Sequence, residues 1–321
     1  MKRVILSLFV AILTLSASAQ ELNVGTFNIR NSRSLREGEA RHKKGDYSKF
    51  NGWDDRKQYV CDMINFEAFD VFGAQEVRHG QLQYMLEQLP DYKYVGVGRD
   101  DGDTKGEYSP VFYRKKVFKL LDSGTFWLSE TSEVPSKGWD GQYPRICTWA
   151  HLERKSDKAR LYFLSLHFDH RGRTARYEGA KQVVAWIKEH CGDENVIVVG
   201  DYNFGKVNRP YKVFSECGFL KDVEDNVKYK FVPTMPYNRF DPSWCFFENG
   251  DLMFVSNGIE ISRYGVLTYH YYRDMNSKQK AMDTAAPKEI KGEDRDVKLL
   301  SDHYPVQAFV TLKKSTNKSK K

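Results

Sequence analysis

Residues 196–203 read V-I-V-V-G-D-Y-N. Four β-branched residues without a polar break describe a strand buried on both faces. The run stops at Gly200, and Asp201 and Asn203 follow at once. Such a strand delivers a carboxylate and an amide to a sheet edge on rigid backbone, where the following loop gives access. A plain turn is the alternative, because Gly, Asp and Asn are turn formers. The rest of the chain decides between them.

The ends are read separately from the body. Lys2 and Arg3 precede an apolar run over residues 4–15 and then Ala17-Ser18-Ala19, the pattern of a secretory signal over residues 1–19. No other run is long and apolar enough to span a membrane. A secreted or periplasmic protein is expected, with one domain over residues 20–312 and a basic, disordered tail over residues 313–321. The formal charge of +7 resides in those ends: seven of the 50 basic residues lie there, leaving 43 against 43 acidic residues in the body. A neutral body gives little support to nucleic-acid binding. The five cysteines form no C-x-x-C and no zinc spacing. A Cys191–Cys217 disulfide is one pairing for a secreted chain, and buried free thiols are the alternative.

Residues 22–27, 69–74, 92–97, 110–113, 117–128, 146–152, 161–166, 252–256 and 306–312 read as strands. Residues 53–64, 81–89, 175–190 and 211–216 read as helices. Ala180, Val183, Val184 and Ile187 give the third of these its apolar face. This order mixes βα units with hairpin-like pairs, which predicts mixed sheets covered by helices.

Polar residues recur where strands end: Asn28, Glu76, His167, Asp201, Asn203, Asp251, Asp302 and His303. Each alone has a bland reading as a cap, a turn or a structural histidine. Together they suit metal-assisted attack on a phosphorus ester. Carboxylate and amide oxygens are hard ligands for Mg²⁺ or Mn²⁺. Histidines can donate to phosphate oxygens, and a carboxylate beside an amide can orient and deprotonate water. No G-x-x-x-x-G-K-[ST], H-E-x-x-H or G-x-S-x-G occurs.

In order, Phe27-Asn28, Gln75-Glu76, His167-x-Asp169, Gly200-Asp201-x-Asn203 and Ser301-Asp302-His303 resemble the motifs of the endonuclease/exonuclease/phosphatase superfamily. Asn51-x-Trp53-x-x-Arg56, Tyr108-Ser109-Pro110-x-Phe112-Tyr113 and residues 123–129 resemble a secreted bacterial branch of it. The resemblance implies a deoxyribonuclease I-like α/β (α+β) fold, a four-layer sandwich of two packed mixed sheets flanked by helices. It implies Glu76 as the main metal ligand, with Asn28 and Asp302 close by. Asp201, helped by Asn203, would activate the attacking water. His303, oriented by Asp251, would bind the phosphate. His167 would bind the phosphate or assist the leaving group, Arg145 would contact the phosphate, and Glu107 would orient His167. The general base is left open.

Two segments look particular to this chain: the basic residues 30–51, and residues 263–300 with Tyr264, Tyr269, Tyr271 and Tyr272. The second is expected to add a loop or hairpin whose aromatics either pack it on the body or stack substrate. Three functions follow. The first is a secreted Mg²⁺-dependent phosphoesterase acting on a diester or monoester. The second is a secreted nuclease with nucleic acid as its partner, and the third a non-catalytic binding module. Oligomeric state is not read from the sequence.

Overall fold

The computed structural model describes residues 20–32, 51–274 and 295–313. The segment read as a secretory signal, the basic stretch after residue 32 and the residues beyond 313 expected as a tail lie outside these. In chain order the elements are β1 Leu22–Asn28, α1 Trp53–Glu67, β2 Val71–Gln75, β3 Val77–Arg78, α2 His79–Gln88, β4 Tyr92–Val95, β5 Glu107–Tyr108, β6 Val111–Arg114, β7 Phe118–Trp127, β8 Ile146–Arg154 and β9 Arg160–His167. They continue as α3 Arg173–His190, β10 Asn195–Asp201, α4 Arg209–Ser215, β11 Leu220–Asp222, β12 Tyr229–Phe231, β13 Asp251–Ser256, β14 Glu260–Val266, β15 His270–Asp274, β16 Arg295–Leu299 and β17 Val306–Thr311.

Two mixed sheets dominate. One has the order β12-β14-β17-β1-β2-β6-β4 and the other β11-β13-β10-β9-β8-β7. In each, a central parallel pair (β1 with β2, β9 with β10) is flanked by antiparallel strands. The unbroken apolar run of β10 has a direct cause. Ile197 and Val199 face the other sheet, with Val24, Val71 and Val306 across the interface. Val196 and Val198 face outward onto Val183 and Ile187 of α3. Period-2 alternation thus points both sets into apolar layers, and each buried Val or Ile is worth about 1.5–3 kcal/mol. The first sheet repeats the arrangement with Phe72 and Ala74 beneath Val60 and Ile64 of α1 and Leu82 of α2. The result is the expected four-layer sandwich.

Close approach of the sheets explains Gly73. A Cβ there would stand 2.6 Å from Ser165 Oγ and 2.7 Å from a Val199 methyl. Gly200, at φ 156°, faces the β9 backbone, and a Cβ would fall 2.1 Å from the Leu166 carbonyl oxygen.

Most elements lie where the sequence predicts them. The helix expected over residues 53–64 runs on to Glu67 and ends at Ala68, whose left-handed backbone donates its N–H to the Ile64 carbonyl. The strands β3, β5, β11, β12 and β14 were not anticipated. The long insertion does form a hairpin, β15 with β16. Tyr271 packs it onto the body, buried and stacked on Tyr59 at 4.1 Å, whereas Tyr272 is exposed; Tyr264, on β14, is buried in the intersheet core. All five cysteines are free, which removes the Cys191–Cys217 pairing.

Candidate active site

Alternation along the strands builds the site. In β9, β10 and β13 the residues facing the other sheet include Phe163, Val199 and Met253, and the same phase ends at His167, Asp201 and Asp251. Register then aligns them, because Asp201 pairs with His167 on one side and with Asp251 on the other. In the opposite sheet Val24 faces inward and so does Asn28, level with Gln75 of β2. The apolar core therefore gives way to a polar layer, Thr26–Gln75–Ser165, joined by hydrogen bonds of 3.2 Å. Above it lie the charged groups. Ser301-Asp302-His303 arrives from the loop before β17, anchored by the Ser301 hydroxyl on the Asn28 carbonyl at 2.7 Å.

His303 Nδ1 lies 2.8 Å from Asp251 Oδ2, and its Nε2 lies 3.8 Å from Asp201 Oδ2. Burial disfavours the charge on His303, but Asp251, Asp201 and Asp302 outweigh it and raise the imidazole to about 10. His167 is its opposite. Burial first, then Arg145, Arg99 and His303, hold it well below the usual histidine range. Asn203 Nδ2 donates to His167 Nε2 at 3.1 Å, and His167 Nδ1 has no partner among the described residues. One histidine is thus charged and the other neutral within one cavity, the pairing that separates acid from acceptor. Asp201 is pushed up to about 7 by burial and by Asp251, against the pull of His303 and Asn28.

Asn28 joins the halves. Its amide donates to Asp201 at 2.9 Å and to Glu76 at 3.2 Å, and its oxygen accepts the Arg30 N–H. Arg30 reaches into the site, with its guanidinium 3.6 Å from Glu76 and 3.5 Å from Asp302. Glu76 would be raised by burial, but Arg30, the Asn31 N–H, His303 and Asn28 hold it at about 2. The two carboxylates therefore already enclose a positive charge, and their oxygens suit a hard divalent ion. Glu76 and Asp302 are the residues that fit one, with Asn28 behind them. Asp201, Asp251 and His303 also offer donor atoms within 4.8 Å of one another. A protonated imidazole, however, has no lone pair for a metal; His303 Nδ1 is hydrogen-bonded to Asp251, while its Nε2 stands 3.8 Å from Asp201, beyond hydrogen-bond reach.

Arg30 (φ 58°), Glu76 (φ 61°) and Asn203 (φ 50°) all adopt left-handed backbone. Non-glycine residues adopt it at a cost, and such residues gather at functional sites. Buried Arg56 holds the turn: it donates to the carbonyls of Arg30 at 2.8 Å and Leu300 at 2.9 Å, and also to Ile29. Arg56 is a support beneath the site.

The far wall is basic. Arg145 is buried between Asp169, at 3.4 Å, and His170, at 3.1 Å. Among the described residues its Nη1 has no partner, and the side chain lines the cavity. The cavity measures about 530 Å³ and is also lined by Glu76, Asp201, Asp302, His303 and His167.

The structure brings together eight of the nine sequence-derived site residues around this cavity, and Asn28 lies just beneath. Glu107 does not orient His167. It pairs with Arg99 at 2.6 Å and accepts from Asn31. Arg30, Arg99, His170 and Tyr237 were missed as site residues. Arg30 follows Asn28 by two, a signal that was available. Tyr237 arrives through an isolated bridge to His303, which no local pattern marks.

The Endonuclease/Exonuclease/phosphatase family model matches residues 25–303. An endonuclease/exonuclease/phosphatase family protein of Bacteroides thetaiotaomicron is 35% identical, with a TM-score of 0.80 over 91% of this chain and 98% of that one. The mannosyl-6-phosphatase of Bacteroides thetaiotaomicron VPI-5482 is 36% identical, with a TM-score of 0.78 over 90% of this chain and 99% of that one. Uncharacterized protein L388 of Acanthamoeba polyphaga mimivirus is 27% identical over 174 residues, which is 50% of this chain and 63% of that protein's length. With this site on this fold, the chain belongs to the endonuclease/exonuclease/phosphatase family, a family of phosphoric ester hydrolases.

Proposed function

We propose that this chain hydrolyses a small phosphoric ester, a sugar phosphate monoester, by attack of water at phosphorus. The observation that carries the reading is one cavity lined by Asp201, His303, Glu76, Asp302 and the buried guanidinium of Arg145, whose Nη1 has no partner among the described residues. A buried, unpaired guanidinium N–H is costly unless an anion meets it. The cavity is of small-molecule size, and the likeness to a mannosyl-6-phosphatase supports a sugar phosphate.

In this reading Arg145 and charged His303 grip terminal phosphate oxygens. Asp201, raised to about 7, accepts the proton of the attacking water while Asn203 orients it. Asp251 holds the His303 ring in place and keeps it charged. Neutral His167 sits where it can hold a phosphate oxygen or the leaving group. Glu76 and Asp302 would hold Mg²⁺ or Mn²⁺, which supplies charge neutralisation at the phosphate and at the departing oxygen. Residues 1–19 are proposed as the signal that exports the enzyme, and sequencing the mature N-terminus checks this.

The direct test is hydrolysis of p-nitrophenyl phosphate and bis-p-nitrophenyl phosphate with Mg²⁺ and with EDTA, for wild type and Asp201→Ala. Metal-dependent turnover of the monoester, lost in the variant, is expected. Turnover that survives both EDTA and the substitution would overturn the proposal.

A further inference from the structure

One segment of the rim has no part in the chemistry above. Tyr237, Trp244, Phe246 and Glu248 lie between β12 and β13, and Tyr237, Phe246 and Glu248 line the cavity. Their rings form a file leading out from the reacting end. Tyr237 lies 4.8 Å from the His303 ring, Phe246 lies 5.0 Å from Tyr237, and Trp244 lies 5.9 Å from Phe246. Arg239 backs Trp244 at 4.7 Å. Trp244 and Phe246 remain 41% and 40% exposed, so this file is not buried as core. Exposed aromatics clustered at the mouth of a cavity mark a binding surface.

Glu248 completes the wall. Its carboxylate lies against Gly205 on the loop after β10, so close that a Cβ on Gly205 would fall 2.3 Å from Oε2. A side chain at position 205 would push the exposed Glu248 carboxylate aside. Among the described residues Glu248 has no ion pair or hydrogen bond. The cavity thus has a charged end, where Arg145 and His303 lie among Asp201, Asp251, Asp302 and Glu76, and an aromatic rim that carries the carboxylate of Glu248.

We infer that Tyr237, Phe246 and Glu248 form the subsite for the alcohol half of the ester, and that it takes a neutral, hydroxylated ring. The flat C–H face of such a ring stacks on Phe246, and its hydroxyls donate to Glu248. An alcohol that continued as a phosphodiester chain would bring negative charge against Glu248, which disfavours a polymeric anion. The inference rests on the proposed phosphatase activity and adds the residues that read the substrate.

The experiment compares steady-state hydrolysis of mannose 6-phosphate and p-nitrophenyl phosphate with Mg²⁺, using the full chain, Glu248→Gln and Phe246→Ala. Both substitutions are at exposed positions. Glu248→Gln is expected to raise KM for mannose 6-phosphate at least tenfold and to leave that for p-nitrophenyl phosphate, which has no hydroxyl, within twofold. Phe246→Ala is expected to raise KM for both rings, with kcat within threefold throughout. Wild-type turnover of p-nitrophenyl phosphate without mannose 6-phosphate, or a Glu248→Gln variant that shifts both substrates alike or neither, overturns the inference alone. Wild type inactive on both compounds overturns the phosphatase reading and this subsite with it.

Discussion

Asp251 Oδ2 stands 2.8 Å from His303 Nδ1, and the other oxygen of Asp251 has no partner among the described residues. The carboxylate sits on β13, directly opposite Asp201, while the histidine comes from the loop before β17. This contact orients the ring and is the largest of the three carboxylate contributions that keep it charged. In Asp251→Asn the imidazole should titrate well below 10, and kcat should fall by ~10²–10⁴-fold with little change in fold. Nitrogen-detected NMR titration of His303 beside kcat checks this. An unchanged titration would mean that Asp201 and Asp302 suffice.

Glu76 and Asp302 enclose the Arg30 guanidinium. Replacing Glu76 with Gln removes one of two charges from that pair. Calorimetric titration with Mn²⁺ should show affinity reduced by about tenfold or more, by analogy with the sensitivity of metal sites to lost oxygen and supporting contacts. Equal affinity in the variant would move the metal elsewhere. Removing the ion with EDTA should abolish turnover without unfolding the protein.

Asp169 accepts from the N–H groups of Arg171 and Gly172 at 2.9 and 2.8 Å and from Arg145. Burial would raise this carboxyl, but those donors and the Gln142 N–H win and hold it well below the ordinary range. A pKa depressed on folding gives stability that is complete above the unfolded carboxylate range. That stability is lost as pH falls from about 4 toward the depressed value. Asp169→Asn should cost about 1.5–3 kcal/mol at neutral pH and flatten the acid limb of the stability curve. Urea denaturation from pH 7 to pH 3 measures both. An acid limb as steep as that of wild type would exclude Asp169 as its source.

Gly73 is where β2 presses on the opposite sheet. Gly73→Ala should destabilise by about 1–3 kcal/mol, because Ser165 and Val199 are themselves close-packed. A melting temperature unchanged by the substitution would mean that the sheets can separate at no cost.

The sheets were legible because strands buried on both faces leave long apolar runs, as at residues 196–199, and because the polar residues that end them fall in one phase. β14 was not. Its register shifts between Ile261 and Arg263, and the bulge breaks the alternation that would have revealed it. Eight of the nine site residues were found by their place at strand ends, which the fold turns into proximity, and Arg145 only through the family resemblance. Arg99, His170 and Tyr237 belong to loops, where position depends on distant contacts that a local pattern does not carry. Glu107 was misassigned for the same reason: its partner, Arg99, lies on a loop whose path the sequence does not specify.

Asn28 belongs to one sheet and Asp201 to the other, and they share a 2.9 Å hydrogen bond. Neither sheet alone contains a complete site. A slip of a fraction of an ångström between the two halves would disarm the enzyme while leaving each half intact. Turnover is therefore a gauge of alignment, and in rising urea it should fade before the circular dichroism of the strands does.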